Sequence, residues 1–495
     1  MEELETFAIS VIVIFWEQDT IEDDGKNLPM VGNNMSTTTV NPFLAGNFAP
    51  VQNEITADEL TVIGELPQDL SGMFVRNGPN PQFPSSANYH WFGGDGMLHG
   101  VQISNGKASY RDRYVRTPRF EKERETGQAL EGLTASVQNQ ESSPSLTNRA
   151  NTSVIWHSDH FLALYEGGEP YGIKLPELET IGAYTFEDKL ASAFTAHPKI
   201  DPVTGEMMFF GYSPQPPFLT YSIVSRSGEL VRTVPIDLPE PVMMHDFAIT
   251  QDYTLFMDLP MVFNPQGEAM LQFKSERPSR FGIVPRHGDN SSIRWFESPS
   301  CYAFHILNAY QEGDEVVLIA CRMSSCTVLT ALEETGGDPD SNKPRLYQWR
   351  FNLRTGNVQE KPLDERISDF PRINEQLIGR KMRYGYTAKM ADNPMPLFEG
   401  VIKYDFDNGT SQVHHYGAGR YGGEAVFAPR PNGTAEDDGW LITFVHDHNS
   451  DTSELVVLNA QDLTAEPVAR VLMPQRVPYG FHGTWVSQEQ LIHSI

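Results

Sequence analysis

The sequence predicts an all-β protein, a single β-propeller of about seven blades with its longer insertions gathered on one face. Three observations predict it. Strand-like runs with alternating side chains recur from about residue 100 to residue 460, joined by Gly-containing turns. No long helical pattern interrupts them. The chain has 495 residues with 39% hydrophobic content, so many hairpins must hide their edges, which radial repetition of four-stranded blades does.

The elements follow in order. Residues 1–40 are read as a disordered tail and residues 41–495 as one propeller domain. "FAISVIVIFW" (Phe7 to Trp16) is apolar but well short of the roughly 20 residues that span a bilayer. Glu2, Glu3 and Glu5 precede it in place of a basic region, so it does not read as a signal peptide. Met35 reads as an alternative start. Hairpins are then predicted around Asn105-Gly106, Thr204-Gly205, Ser227-Gly228, Thr355-Gly356 and Asn408-Gly409, each a turn flanked by alternating segments. The polar gaps near 120–150 and 325–345 read as loops or short helices.

The charge balance narrows the function. Lys plus Arg total 37 against 65 Asp plus Glu, a net charge of −28 that repels phosphate backbones and excludes nucleic acid as a partner. Cys301, Cys321 and Cys326 form no CxxC pair and no disulfide framework, which points to a reducing compartment.

Four histidines sit in apolar runs: His197 in "FTAHPKI", His245 in "VMMHDFAI", His305 in "CYAFHILNAY" and His482 in "VPYGFHGTWV". Any one alone suits a core imidazole bonded to a backbone carbonyl. As a set they suggest more, because the innermost strand of each propeller blade faces the central axis. One inward histidine from each of four blades would converge there. Four neutral imidazoles without a thiolate suit Fe(II), Cu, Ni or Zn. Carboxylates would then act by accepting from the imidazole Nδ1–H groups. Glu166 in "LALYEGGEPY", Asp369 in "ISDFPRINE" and Glu424 in "YGGEAVF" are the candidates, each an acid in an apolar or Gly-rich run. His446 and His448 in "FVHDHNSD" read as surface hydrogen-bonding groups.

"GNFAPV", "MFVRNGPNP", "YHWFGGDGMLHGV", "FTAHPKIDPVTGEM", "EPVMMHDFAIT", "DFPRINE" and "PQRVPYGFH" resemble, in order, the carotenoid cleavage dioxygenases, over roughly residues 41 to 490. Within that family the resemblance is to the plant-type enzymes that cut at the 9,10 and 9′,10′ double bonds, whose "DFPR" Asp is shared as Asp369. "FHGTWV" departs from the plant pattern and is similar to the bacterial apocarotenoid oxygenases, which suggests a bacterial or cyanobacterial member. The resemblance implies a seven-bladed β-propeller under a helical dome. It implies Fe(2+) held by His197, His245, His305 and His482, with Glu166, Asp369 and Glu424 behind them. Thr152 matches the position that crowds an open coordination site, and Phe92, Tyr165, Phe304 and Phe370 match aromatics along the substrate tunnel.

The implied activity is cleavage of a carotenoid or apocarotenoid C=C bond into two carbonyl products, with O₂ supplying both oxygen atoms. Such a substrate resides in membranes. The weakly charged run "DLPMVFNPQGEAMLQF" is therefore read as an exposed patch (Leu259, Met261, Val262, Phe263, Met270, Leu271, Phe273) dipping into one leaflet of a cytoplasmic, peripherally membrane-associated enzyme. A buried segment packed on the propeller is the alternative. Three other functions compete. Stilbenoid-cleaving relatives carry a Lys where Tyr165 stands, which argues against that substrate. A non-catalytic ligand-binding propeller would not need four inward histidines backed by acids. A polyene ester isomerase would consume no oxygen.

Overall fold

The structure, a computed structural model, describes residues 41–83, 89–130, 146–264, 271–326 and 339–494. The tail predicted over residues 1–40 lies outside the described residues. The all-β prediction holds. Described strands form sheets of five, four, four, six, seven and four strands, plus a two-stranded ribbon.

All five predicted hairpins form. Gly96–Ser104 pairs with Lys107–Tyr114 across Asn105-Gly106, where φ is 52° and 73°. Two consecutive left-handed residues make the turn whose twist matches the flanking strands, and Asn-Gly adopts it at least cost. The other four turns join Lys199–Ile200 to Met207–Tyr212, Leu219–Val224 to Leu230–Ile236, Arg345–Asn352 to Val358–Arg372, and Phe398–Asp405 to Thr410–His415. In the polar gap near 120 lies a helix, Pro118–Thr126. Thr117 caps it by accepting from the Phe120 N–H, and Gly127 ends it at φ 67°.

Burial separates inner strands from outer ones. Gly72–Pro79 and Met207–Tyr212 are buried at every position, so both of their faces are covered. Leu230–Ile236, at the end of its sheet, alternates between exposed and half-buried residues over most of its length. Apolar clusters fill the spaces between sheets. Met73, Leu98, Phe161 and Ile173 join the sheet of Gly72–Pro79 to that of His160–Leu164. Leu162, Leu164, Met207 and Phe209 join the latter to the sheet of Met207–Tyr212. A larger cluster runs from Phe210 through Phe256 to Leu318 and Trp349. Val317 and Ile319 meet Ile402, Val401 meets Leu441, and Ile442 and Val457 meet Phe74 and Val101. Chain-distant strands are joined as well, since Gly72–Pro79 pairs with Gly483–Ser487 and Val62–Gly64 with Ala469–Leu472.

The predicted membrane patch is not exposed. Leu259, Met261, Val262, Phe263 and Leu271 are each at most 6% exposed, and all of them but Val262 belong to the largest apolar cluster among the described residues, against which the half-buried Phe273 also packs. Met261–Phe263 and Leu271–Phe273 form the two-stranded ribbon, turning these side chains inward; Met270 lies outside the described residues. The low charge of this run therefore reflects core packing. No helix among the described residues is long and apolar enough to cross a membrane.

Phe74 is 1% exposed, on the strand that joins chain-distant segments, whereas Val231 is 53% exposed on an outer strand. Phe74→Ala should destabilise the fold by about 3–5 kcal/mol through a lost ring and a cavity, while Val231→Ala should change little. Thermal melting of the two variants measures the contrast.

Candidate metal centre

The site is assembled at or near the ends of strands. Thr152 precedes the strand Ser153–His157, His197 stands two residues before Lys199–Ile200, and His245 three before Ala248–Ile249. His305 lies near the start of Tyr302–Glu312, and Asp369 near the end of Val358–Arg372. Glu424 stands two residues before Val426–Pro429, and His482 directly precedes Gly483–Ser487. No two of these residues share a local sequence motif, yet they meet.

The ligand atoms of His197, His245, His305 and His482 all lie within 4.8 Å of one another. Three of these imidazoles are fixed by the predicted acids. His245 Nδ1–H donates to Glu166 Oε2 at 2.7 Å, His305 Nδ1–H to Asp369 Oδ1 at 2.9 Å, and His482 Nδ1–H to Glu424 Oε1 at 3.0 Å. These bonds set the tautomer and leave each Nε2 as a lone pair facing the centre. Two of these carboxylates also hold the backbone, since Asp369 accepts from the Phe370 N–H and Glu424 from the Gly483 N–H.

The donor set fits a metal ion. His197 Nε2 and His245 Nε2 lie 3.0 Å apart, an approach of two ring nitrogens that a shared cation relieves. His305 Nε2 is buried with no hydrogen-bond partner, a state that costs free energy unless a ligand takes it up. Metal binding requires neutral imidazoles. Burial holds His482 down to about 4 against the pull of Glu424, and burial together with the other three imidazoles holds His197 well below its usual range. His305 is the exception: burial opposes its charge, but the Asp369 carboxylate overrides it and raises the imidazole. Burial would raise Glu424, yet Arg372 and the His482 and Gly483 donors bring it to about 2.

The two sides of the centre differ chemically. The Phe370 ring stands 5.3 Å from that of His305 and 5.1 Å from that of His482, and Phe304 stands 5.3 Å from His245. Phe370 stacks on Phe398 in a cluster with Trp91, Tyr479 and Phe481, and Phe92 packs against Phe481 at 5.4 Å. Thus Phe304 and Phe370 reach the imidazoles, while Phe92 packs on the aromatic cluster that contains Phe370 without touching the four imidazoles in a ring contact. Tyr165 adjoins Glu166, and burial raises its phenol. Thr152 accepts from the His482 N–H through its carbonyl at 3.2 Å, and its Oγ1 donates to Asn151. Away from these aromatics, a cavity of about 170 Å³ is lined by His197, His305, His482, Lys199, Arg372 and Glu424.

Two supporting residues were not apparent from the sequence. Tyr212 donates to Glu166 Oε1 at 3.0 Å, and Arg372 Nη1 lies 3.6 Å from Glu424 Oε1. Arg372 shares the "DFPR" run with Asp369, which was the available signal; Tyr212 sits in an ordinary strand and offered none. Phe370 has φ 50°, left-handed for a bulky residue, where the strand register slips between Asp369 and Arg372. The reading of His446 as a surface group is corrected: it is 3% exposed, with Ser453 Oγ 3.2 Å from its Nδ1. His448 lies 2.9 Å from the Tyr479 hydroxyl.

In the metal-free protein His305 carries a proton below its raised pKa, and an incoming ion must displace it. Cobalt affinity should therefore rise about tenfold per pH unit below that pKa and level off above it. Asp369→Asn removes the raising charge, so the levelling point should move to lower pH. Chelator competition across a pH series measures both.

Three comparisons with known proteins agree. Residues 48–487 match the family model described as retinal pigment epithelial membrane protein. A carotenoid 9,10(9′,10′)-cleavage dioxygenase 1 of Arabidopsis thaliana is 43% identical, over 91% of this chain and 90% of that protein. A carotenoid cleavage oxygenase of Mycobacterium tuberculosis is 36% identical, over 90% of this chain and 97% of the relative. Among solved structures, the lignostilbene dioxygenase of Pseudomonas brassicacearum superposes with a TM-score of 0.85 at 31% identity, covering 90% of this chain and 98% of that one. The cobalt-substituted apocarotenoid oxygenase of Synechocystis gives 0.80 at 27%, covering 89% and 97%.

Proposed function

The chain belongs to the family of the retinal pigment epithelial membrane protein and the carotenoid cleavage dioxygenases, and on that premise we propose that it cleaves a C=C bond of a carotenoid or apocarotenoid with O₂, at the 9,10 or 9′,10′ position or both. The observation that carries this reading is the convergence of four imidazoles, three of them oriented by carboxylates, beside an aromatic wall. His197, His245, His305 and His482 would hold Fe(2+), which supplies the activation of O₂. The choice of bond is supported by the name of the 43% identical plant relative.

The chain's own residues have defined work. Glu166, Asp369 and Glu424 fix the imidazole tautomers and increase their basicity. Phe304 and Phe370 wall the space next to the imidazoles, and Phe92 and Tyr165 extend it. These rings offer a polyene apolar contact and a π-surface that favours positive charge developing on it. Which double bond is cut then depends on how far the substrate advances before the rings stop it. Thr152 would restrict the space at one coordination position. No side chain has to move a proton, because oxidation of a C=C bond to two carbonyls by O₂ releases none.

We read residues 41–495 as one seven-bladed β-propeller whose axis carries the site. Apolar clusters link the sheets in a cyclic order that returns to Gly72–Pro79, and the seven-stranded sheet divides at its fifteen-residue strand into two blade-like halves. The structural likeness to a lignostilbene dioxygenase favours one second reading, a stilbenoid substrate. Tyr165 supports the carotenoid against it, since it lacks the cationic end that would grip a phenol.

His305→Ala should lose both bound iron and product. Wild-type protein supplied with β-carotene, zeaxanthin, an apocarotenal or a hydroxystilbene should yield 9,10-cleavage carbonyls from the polyenes, with label from ¹⁸O₂ in both fragments. Full activity in His305→Ala, or turnover of the stilbene alone, would overturn the reading.

A further inference from the structure

Three imidazoles lean on carboxylates, but among the described residues no carboxylate bonds to His197. A fourth buried acid, Asp246, touches no imidazole and instead joins the backbones that carry three of them. Asp246 Oδ1 pairs with Lys199 Nζ at 2.7 Å, and the two side chains are 2% and 17% exposed. Asp246 Oδ2 accepts from the Ile306 N–H at 2.9 Å. Lys199 stands two residues after His197, Asp246 one after His245, and Ile306 one after His305. The Ile306 contact is possible because the strand register shifts on both sides of that residue, between Ala303 and Ile306 and between Ile306 and Asn308. A bulge leaves a ladder N–H without its regular partner and re-aims the neighbouring side chain. Here the neighbour is His305, and Asp246 takes up the N–H.

A buried carboxylate is costly unless it is paired and hydrogen-bonded. Asp246 has a cation, the Ile306 N–H and the Phe247 N–H at 2.8 Å, so its oxygens are satisfied without any ligand. We propose that Asp246, with Lys199, is a positioning residue of the metal centre: it locks the segments of His197, His245 and His305 to one another and supplies His197 with the restraint that a carboxylate gives the other three. This rests on the metal reading of the four histidines. It does not depend on which substrate is cleaved.

The test uses full-length protein loaded with Co²⁺, read by its visible absorption bands and by the rate at which a chelator removes the ion. Asp246→Ala should weaken cobalt retention about 10- to 100-fold, as loss of a supporting contact does, and should shift the absorption bands. Asp246→Asn keeps an acceptor for the Ile306 N–H and should fall between Ala and wild type. The control is a second buried ion pair, Lys403 with Asp437 at 2.6 Å, in a different part of the fold. Asp437→Asn should lower the melting temperature while leaving spectrum and retention as in wild type. Wild-type retention and bands in Asp246→Ala and Asp246→Asn would overturn the proposal, as would an equal change in Asp437→Asn. If Asp246→Ala gives no folded protein, Asp246→Asn decides alone. Failure of the wild-type protein to bind cobalt would instead overturn the metal reading beneath it.

Discussion

Everything at the centre of this molecule depends on bonds between imidazole Nδ1–H groups and buried carboxylates. An acid in an apolar interior is pushed towards its neutral form, and an imidazole there likewise. Paired, each gives the other a reason to be buried, and the imidazole is left with one nitrogen committed and one free. Three such pairs aim three free nitrogens at one point. The interaction therefore fixes tautomer, orientation and the direction of the free Nε2 lone pairs together, and no single residue could do this.

The sheets make the convergence geometrically possible. Inner strands are buried on both faces because apolar clusters cover them, and site residues stand at or near the ends of strands. Outer strands alternate and face water. The local distortions fall where function concentrates: the left-handed Phe370, the slipped register beside Asp369 and the double shift around Ile306 all adjoin the imidazoles. A regular ladder would point successive side chains to opposite faces. The slips turn an acid, a ring and a histidine to one place.

Much of this was legible in the sequence, for identifiable reasons. Hairpins were readable because Asn-Gly and similar turns have few alternatives. His197, His245, His305 and His482, like Glu166, Asp369 and Glu424, were readable because each is a polar residue in an apolar run, and such residues need partners. Asp246 meets the same criterion within "VMMHDFAIT", but its partners, the Lys199 ammonium and the Ile306 N–H, lie far away in the chain and leave no local sign. The apolar run from Leu259 to Phe273 misled, since low charge marks a buried ribbon and an exposed patch equally. Composition cannot tell the two apart; strand pairing does.

Because the imidazoles come from segments as distant as His197 and His482, the clasp cannot exist on a nascent chain that has only reached its middle. A ribosome-bound intermediate that has emitted His197, His245 and His305 still lacks Glu424 and His482, and offers an ion three loose ligands at most. Contacts of such long range also fold slowly. Any metallation is then a late event in the life of the polypeptide, and the completed molecule is first open to whichever divalent ion arrives.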